Sequence, residues 1–155
     1  MKKSIFVTLL LVIVAPLASF AQKAADSLKV ATAMNELLSV CKNVDWGDPK
    51  TSSLGFFYKA APYIVYRGND VKRKWKAFCN YKKAEDKKGV DDICYKINET
   101  VNRDSTYKIV RYSTKKESEG LWHVLFVSYR KKGIEKHAIY AFLKIGNQFG
   151  LGDID

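Results

Sequence analysis

The stretch that decides the fold is Leu121–Ile145, which reads LWHVLFVSYR, then KKG, then IEKHAIYAFLKI. Two β-rich runs flank a three-residue turn that ends in glycine, and this arrangement is a strong signal of a β-hairpin. Apolar side chains stand at odd and even positions of both runs, so neither face of the hairpin is expected to be fully exposed to solvent. The sequence therefore predicts a central hairpin that helices cover on one face and that is partly enclosed on the other.

Two further strands are predicted around this hairpin. Tyr107–Thr114 has the two-residue period of a strand, and Lys115–Gly120 is a polar loop. Gly146 and Asn147 form a tight-turn signal before a last strand, Gln148–Ile154. The C-terminal half is therefore predicted to be a four-stranded antiparallel meander.

Helical periodicity dominates the chain before Thr106. In Ala24–Cys41, the apolar residues Val30, Met34, Leu37 and Cys41 follow helical spacing and form one stripe. A shorter helix is expected within Thr51–Tyr66, and it should stop or kink near Pro62.

Two more amphipathic segments, Val71–Lys83 and Val90–Val101, are predicted to be helices separated by the charged turn Ala84–Gly89. They should form a helical hairpin in which each helix buries its apolar stripe. Helices followed by a meander predict an α+β fold, with N-terminal helices packed on a curved four-stranded antiparallel meander sheet.

Three cysteines, Cys41, Cys79 and Cys94, allow three pairings. Cys79 and Cys94 both lie on inward stripes of the predicted helical hairpin, so a Cys79–Cys94 bridge is one hypothesis. It would close a loop of about fifteen residues. Two buried thiols are the alternative, because disulfide geometry is demanding. Cys41 is interpreted as a buried thiol at a helix end.

The N-terminal 21 residues have the features of a signal peptide. Lys2 and Lys3 precede an apolar run, Ile5–Val14, and small residues lead to a cleavage site before Gln22. The run is short for a membrane span, so no transmembrane segment is expected after cleavage. Residues 22–155 are then a single α+β domain, and the protein is predicted to be secreted or periplasmic. Removing the two lysines lowers the net charge from +11 to +9.

Both histidines, His123 and His137, lie on the central hairpin. If a three-residue loop pairs Arg130 with Ile134, which is the preferred register, they share a face about 13 Å apart. If the loop has only two residues, they fall on opposite faces. Neither register lets them share a metal ion, and no Cys or carboxylate stands beside them at ligand spacing. No metal site and no cofactor are therefore expected.

Motifs for nucleophilic catalysis or phosphate binding are missing from the sequence: it has no nucleophile elbow and no glycine-rich loop that opens a helix. An enzyme is therefore the minority interpretation, and a small-molecule isomerase or hydrolase would use His123 as its pocket histidine.

A basic cluster is the clearest compositional feature. It predicts, as one alternative, a surface that binds an anionic polymer or a lipid head group. The other interpretation is a solvated helix face, because Trp75 and Phe78 share the buried stripe of the same segment. Nucleic acid is not expected as a partner of an exported protein. The candidate anion-binding residues are Lys72, Arg73, Lys74, Lys76, Lys82 and Lys83.

The order of helices and strands, with the final run HAIYAFLKIGNQFGLGDID, resembles the NTF2-like (cystatin-like cone) superfamily. The resemblance covers Asp26–Asp155 as a pattern and the last three strands as residues. It implies a strongly curved sheet wrapped around helices, with an apolar cavity open at one end. Members include ligand binders, enzymes and interaction modules, so the fold does not decide the function.

The leading hypothesis is an exported non-catalytic domain that binds a small ligand or a protein partner on the concave face of the sheet. In the preferred register, one face of the hairpin carries a row of large apolar residues, and His123 stands beside it. The candidate ligand-pocket residues are Trp122, Val124, Phe126, Tyr140, Phe142 and His123.

Overall fold

A computed structural model describes residues 4–42, 54–65, 77–101 and 106–155. The helices are α1 (Ser4–Lys42), α2 (Leu54–Ala60) and α3 (Ala84–Thr100), and a 3₁₀ turn, Ala61–Tyr63, follows α2. The strands are β1 (Tyr107–Glu117), β2 (Gly120–Lys131), β3 (Ile134–Ile145) and β4 (Gln148–Ile154). They form one antiparallel sheet in the order β1-β2-β3-β4, so the predicted α+β fold with a meander is confirmed.

Helix α1 buries the stripe that its spacing predicts. Val30, Met34, Leu37 and Cys41 are each at most 1 % exposed. Burial of such a stripe stabilises a helix more than its intrinsic propensity does. The helix also runs from the predicted signal segment into the domain without a break.

Helix α3 begins six residues before the predicted start, Val90, although its predicted stripe is confirmed as fully buried. The charged residues 84–89 form the first turns of the helix instead of a loop. Asp86 connects the first turn of α3 to the preceding segment, because its Oδ2 accepts a 2.7 Å hydrogen bond from the backbone N–H of Asn80. A carboxylate in the first turn also interacts favourably with the positive end of the helix dipole.

The predicted helix Val71–Lys83 is wrong over residues 77–83, which form an irregular segment and a turn. Asn80 is the cause. Its side-chain Oδ1 accepts from the N–H of Lys82 (3.0 Å), and its carbonyl oxygen accepts from the N–H of Lys83 (2.9 Å). Asparagine competes in this way for backbone groups that a helix would use. Residues 71–76 lie outside the described residues.

The prediction for the segment before Pro62 is confirmed, since the α-helix ends at Ala60 and a 3₁₀ turn containing the proline follows. Beyond it, Ile64 forms a parallel bridge to Leu151, and the N–H of Val65 donates to the Leu151 carbonyl at 2.9 Å. The outer edge of β4 is therefore occupied by this segment. Gly150 permits the approach, because a Cβ there would lie 2.8 Å from Phe78 Cε1 and would also meet Val65.

The disulfide joins Cys41 to Cys94, with the two Cα atoms 5.1 Å apart, so the Cys79–Cys94 hypothesis is wrong. Cys41 is the last buried residue of the α1 stripe, and Cys94 lies on the α3 stripe that packs against α1. Cys79 is also buried, but it belongs to the irregular segment and its backbone N–H is bonded to Ile64. The bridge therefore fastens two packed helices together.

Strand β1 forms one edge of the sheet and contains an irregularity. Ile109 pairs with Val127 and Arg111 pairs with Phe126, so Val110 is an extra residue in a β-bulge. A bulge bends its strand and increases its twist. Within the described ranges, β1 pairs on one side only.

Candidate ligand-binding site

The turn of the central hairpin has two residues, and Lys131 pairs with Ile134 across it. Lys132 (φ 53°) and Gly133 (φ 80°) both adopt left-handed backbone conformations, as a two-residue turn that follows the twist of the strands requires. The preferred three-residue register is therefore wrong, and the alternative is confirmed. His123 and His137 lie on opposite faces, where they pair with Phe142 and Ser128 respectively.

This register divides the candidate pocket residues between the two faces, which corrects the prediction that they share one. Tyr140 and Phe142 lie with His123 on the face that the helices cover, and all three are at most 1 % exposed. Trp122, Val124 and Phe126 lie on the opposite face, which we call the open face, where they pair with Leu143, Ala141 and Ile139.

The helix-covered face is filled by the protein's own side chains. Tyr140 and Phe142 belong to one continuous core with residues of α1 and α3. The Tyr140 hydroxyl lies 2.5 Å from Thr100 Oγ1 at the end of α3, and burial raises the pKa of Tyr140 to about 12. Tyr140 is therefore a structural link between the sheet and α3 and does not line a ligand pocket.

His123 belongs to a buried polar cluster at one end of this covered face. Its Nδ1 lies 2.7 Å from the Tyr112 hydroxyl. Its ring packs edge to face against the Phe149 ring, with the two ring centres 4.8 Å apart. Its Nε2 is buried without a hydrogen-bond partner among the described residues. Burial lowers the pKa of His123, and the positive charge of Lys144 adds to this effect against the opposing charge of Asp26.

Asp26 and Lys144 form the charged part of this cluster. Lys144 Nζ donates to both carboxylate oxygens of Asp26, at 3.0 and 2.9 Å, and Gln22 Nε2 donates to Oδ1 at 2.9 Å. Burial alone would raise the pKa of Asp26, but these hydrogen bonds outweigh it and the pKa lies below its ordinary value. The pair links α1 to β3, in addition to the apolar stripe that α1 buries in the core.

The open face is covered only at one end among the described residues. There Trp122 and Leu143 pack with Val65, and Phe78 and Ile145 contact the same cluster. The strand residues Val124, Phe126, Ile139 and Ala141 remain partly exposed further along the face. These partly exposed side chains form an apolar surface on the sheet.

A groove of about 480 Å³ lies on this exposed part of the open face. Its size is within the range of small-molecule sites. The Arg111 guanidinium carbon lies 3.6 Å from the centre of the Phe126 ring, so cation and ring stack closely. The groove is lined by Val110, Arg111, Phe126, Val127, His137, Ala138, Ile139 and Asp155.

Four of the lining residues form a row across all four strands. Arg111 pairs with Phe126, and Phe126 pairs with Ile139. Asp155 continues β4 and exchanges two backbone hydrogen bonds with Ile139, of 2.7 and 3.0 Å. Residues directly opposite each other in an antiparallel sheet project to the same face. Arg111 and Asp155 are not predictable from the sequence as members of this site, because their positions in the row depend on a bulge and on the register of β4.

A second cavity, of about 390 Å³, lies between α1, the 3₁₀ turn and the β3–β4 turn. Tyr63 lines it beside Glu36, and the hydrogen bond to Glu36 together with burial raises the pKa of Tyr63. Nothing in the sequence pattern singles out this cavity, since it is formed by three segments that are distant along the chain.

The basic cluster is only partly within the described residues. Lys82 and Lys83 are exposed in the turn before α3, and Lys82 Nζ lies 5.8 Å from the centre of the Tyr81 ring. Lys72, Arg73, Lys74 and Lys76 lie outside the described residues. The anion-binding hypothesis therefore stays a prediction.

No group of three His, Cys, Asp or Glu residues in the described part of the chain could hold a metal ion. No helix within the same ranges is both long and apolar enough to cross a membrane. Comparison of the chain with protein-family models, curated proteins and solved structures finds no match.

Proposed function

We propose that this protein is an exported, non-catalytic domain that binds a small ligand, or a short segment of a protein partner, on the open face of its sheet. The observation that carries the proposal is the groove of about 480 Å³ whose floor is formed by Phe126 and Ile139. Large apolar side chains that stay exposed next to a few polar groups are typical of ligand sites.

The order of helices before an antiparallel sheet supports the proposed relationship to the NTF2-like superfamily. In the structure, however, the helix-covered face is filled by core residues such as Tyr140 and Phe142. The ligand is therefore proposed to bind on the opposite face from the helices. The disulfide between Cys41 and Cys94 supports export, because such bonds persist in oxidising compartments.

The enzymatic alternative has less support than the binding function. It requires His123 to meet a substrate, whereas His123 is 1 % exposed and lies on the covered face, away from the groove. A buried neutral imidazole bonded to Tyr112 also fits a structural role.

The proposal is tested with the apolar anion 8-anilinonaphthalene-1-sulfonate and amide chemical shifts of the full-length protein. We expect the shift changes to be confined to the groove and to include Phe126 and Ile139. Replacing Ile139 by Ser should weaken binding about tenfold, because it removes a buried apolar contact.

Ile134→Ser is the matched control, since Ile134 is 62 % exposed near the hairpin turn and does not line the groove. It should bind the probe as the wild type does. Shift changes that centre on another surface, or equal binding by the Ile139→Ser variant, would contradict a ligand site on the open face.

A further inference from the structure

The groove on the open face carries opposite charges at its two ends. Arg111 stands on β1 at one end and Asp155 follows β4 at the other, with Phe126 and Ile139 between them. The described residues form no ion pair with Arg111. In contrast, several lysines of the sheet are paired with carboxylates. Because an apolar surface separates the cation from the anion, they do not neutralise each other. Each of them can therefore bind an oppositely charged group of a ligand.

The geometry sets the distance between the two charges of such a ligand. The guanidinium of Arg111 lies over the Phe126 ring, so it stands above β2. Asp155 pairs with Ile139 of β3 and therefore stands at the position of β4. Two strand spacings separate these positions, which is about 10 Å.

The stacking of Arg111 on Phe126 adds to the selectivity of this end. The ring holds the planar guanidinium in place, so less conformational entropy is lost when its N–H groups donate to a carboxylate. At the other end, the carboxylate of Asp155 is exposed, as it must be to accept from an ammonium group. Ile139 and Phe126 offer apolar contact to the chain between the two charged groups.

We propose that the ligand of this groove is a small zwitterion, with a carboxylate bound by Arg111, an ammonium group bound by Asp155 and an apolar body on Phe126 and Ile139. This inference rests on the proposed function and deepens it, because it names the ligand class for the same site. The charge complementarity distinguishes such a ligand from an apolar anion or an apolar cation of equal length.

The test compares three probes by calorimetry and amide chemical shifts on the full-length protein. The zwitterion is 8-aminooctanoate, whose extended chain separates its charges by about 10 Å, the spacing of two strands. Octanoate and octylammonium each keep one charge. We expect the zwitterion to bind up to about fivefold more tightly than either, since each exposed charge contact contributes on this scale.

Variants then identify which end of the groove each charge occupies. Arg111→Met should reduce the affinity for 8-aminooctanoate to that for octylammonium, and Asp155→Asn should reduce it to that for octanoate. Lys115→Gln is the matched control. Lys115 pairs with Trp122 on the same face but outside the groove, and its side chain is 72 % exposed.

The two proposals can fail separately. If octanoate binds in the groove as tightly as 8-aminooctanoate and Asp155→Asn has no effect, the zwitterion inference is overturned while the ligand site stands. If none of the three probes shifts the amides of Phe126 and Ile139, the zwitterion inference is also overturned. The anilinonaphthalene sulfonate experiment then decides whether the groove binds ligands at all.

Discussion

At the scale of the residue, the imidazole of His123 has one nitrogen bonded to Tyr112 and the other without a partner among the described residues. Its pKa is lowered by burial, so the folded protein keeps it neutral at a pH where the unfolded chain is already protonated. The unfolded state then binds more protons, and the free energy of unfolding decreases as the pH falls.

We therefore predict that the free energy of unfolding starts to fall as the pH drops through about 6.5, the ordinary pKa of histidine. In a His123→Gln variant, this dependence should flatten, because the group that takes up the proton is gone. Urea unfolding between pH 5 and pH 8 gives the measurement.

The control for this prediction is His137→Gln, since His137 is exposed on the opposite face. It should keep the slope of the wild type. Asp26, Lys144 and Tyr112 face the His123 ring, but the lowered pKa of Asp26 places its own contribution below pH 3.8. A slope in His123→Gln as steep as in the wild type would show that another group is responsible.

At the scale of the element, the disulfide fastens α1 to α3 and closes a separation of 53 residues between Cys41 and Cys94. In the chain-entropy model, a loop of this size contributes about 4 kcal/mol to stability. We predict that the Cys41→Ala/Cys94→Ala double variant loses stability on this scale, measured by chemical denaturation under oxidising conditions.

Cys79→Ala is the matched control, because Cys79 is buried but lies outside the bridge. It should lose far less stability than the double variant. A thiol count on the denatured, unreduced wild type should find one reactive thiol, and on Cys79→Ala none. Two reactive thiols in Cys79→Ala would contradict the Cys41–Cys94 pairing.

The elements also show how far the sequence determines the fold. Strand β4 follows from the turn signal at Gly146 and Asn147. The buried stripes of α1 and α3 follow from apolar spacing, because burial imposes that spacing. The irregular segment 77–83 could not be predicted in this way, since an apolar stripe does not reveal that Asn80 binds the backbone N–H of Lys82. Local hydrogen bonds therefore determine the backbone structure of this segment, although the spacing of its apolar residues is helical.

The candidate site was harder to predict, because one register decides it. Lys132-Gly133 gives a weaker turn signal than Asn-Gly, and the sequence left two loop lengths open. A shift of one residue moves every side chain of a strand to the other face. Phe126 therefore stays in the site whereas Tyr140 becomes core, and Arg111 enters it through the bulge at Val110.

At the scale of the whole molecule, the proposed export predicts where the mature chain begins. Cleavage after Ala21 would leave Gln22 as the first residue, next to the Asp26 carboxylate that it contacts in the structure. We predict that the exported protein has the mass of residues 22–155. Ala21→Arg should block cleavage, because a signal peptidase requires a small residue there.

Phe20→Leu is the control for this experiment, since the position between the two small residues is not the one that the peptidase selects. Its product should have the same mass as the wild type. An exported wild-type protein that keeps residues 1–21 would contradict the signal-peptide prediction.

The bulged edge strand β1 has a consequence for self-association. Ile64 and Val65 occupy the edge of β4. Among the residues that the structure describes, β1 is paired on one side only, so its other side is the place where another copy could extend the sheet. Lysines at 108, 115 and 116 lie along β1, and the bulge at Val110 interrupts the regular spacing of its backbone groups. Two such edges would bring like charges together out of register, which protects the protein from aggregating strand by strand.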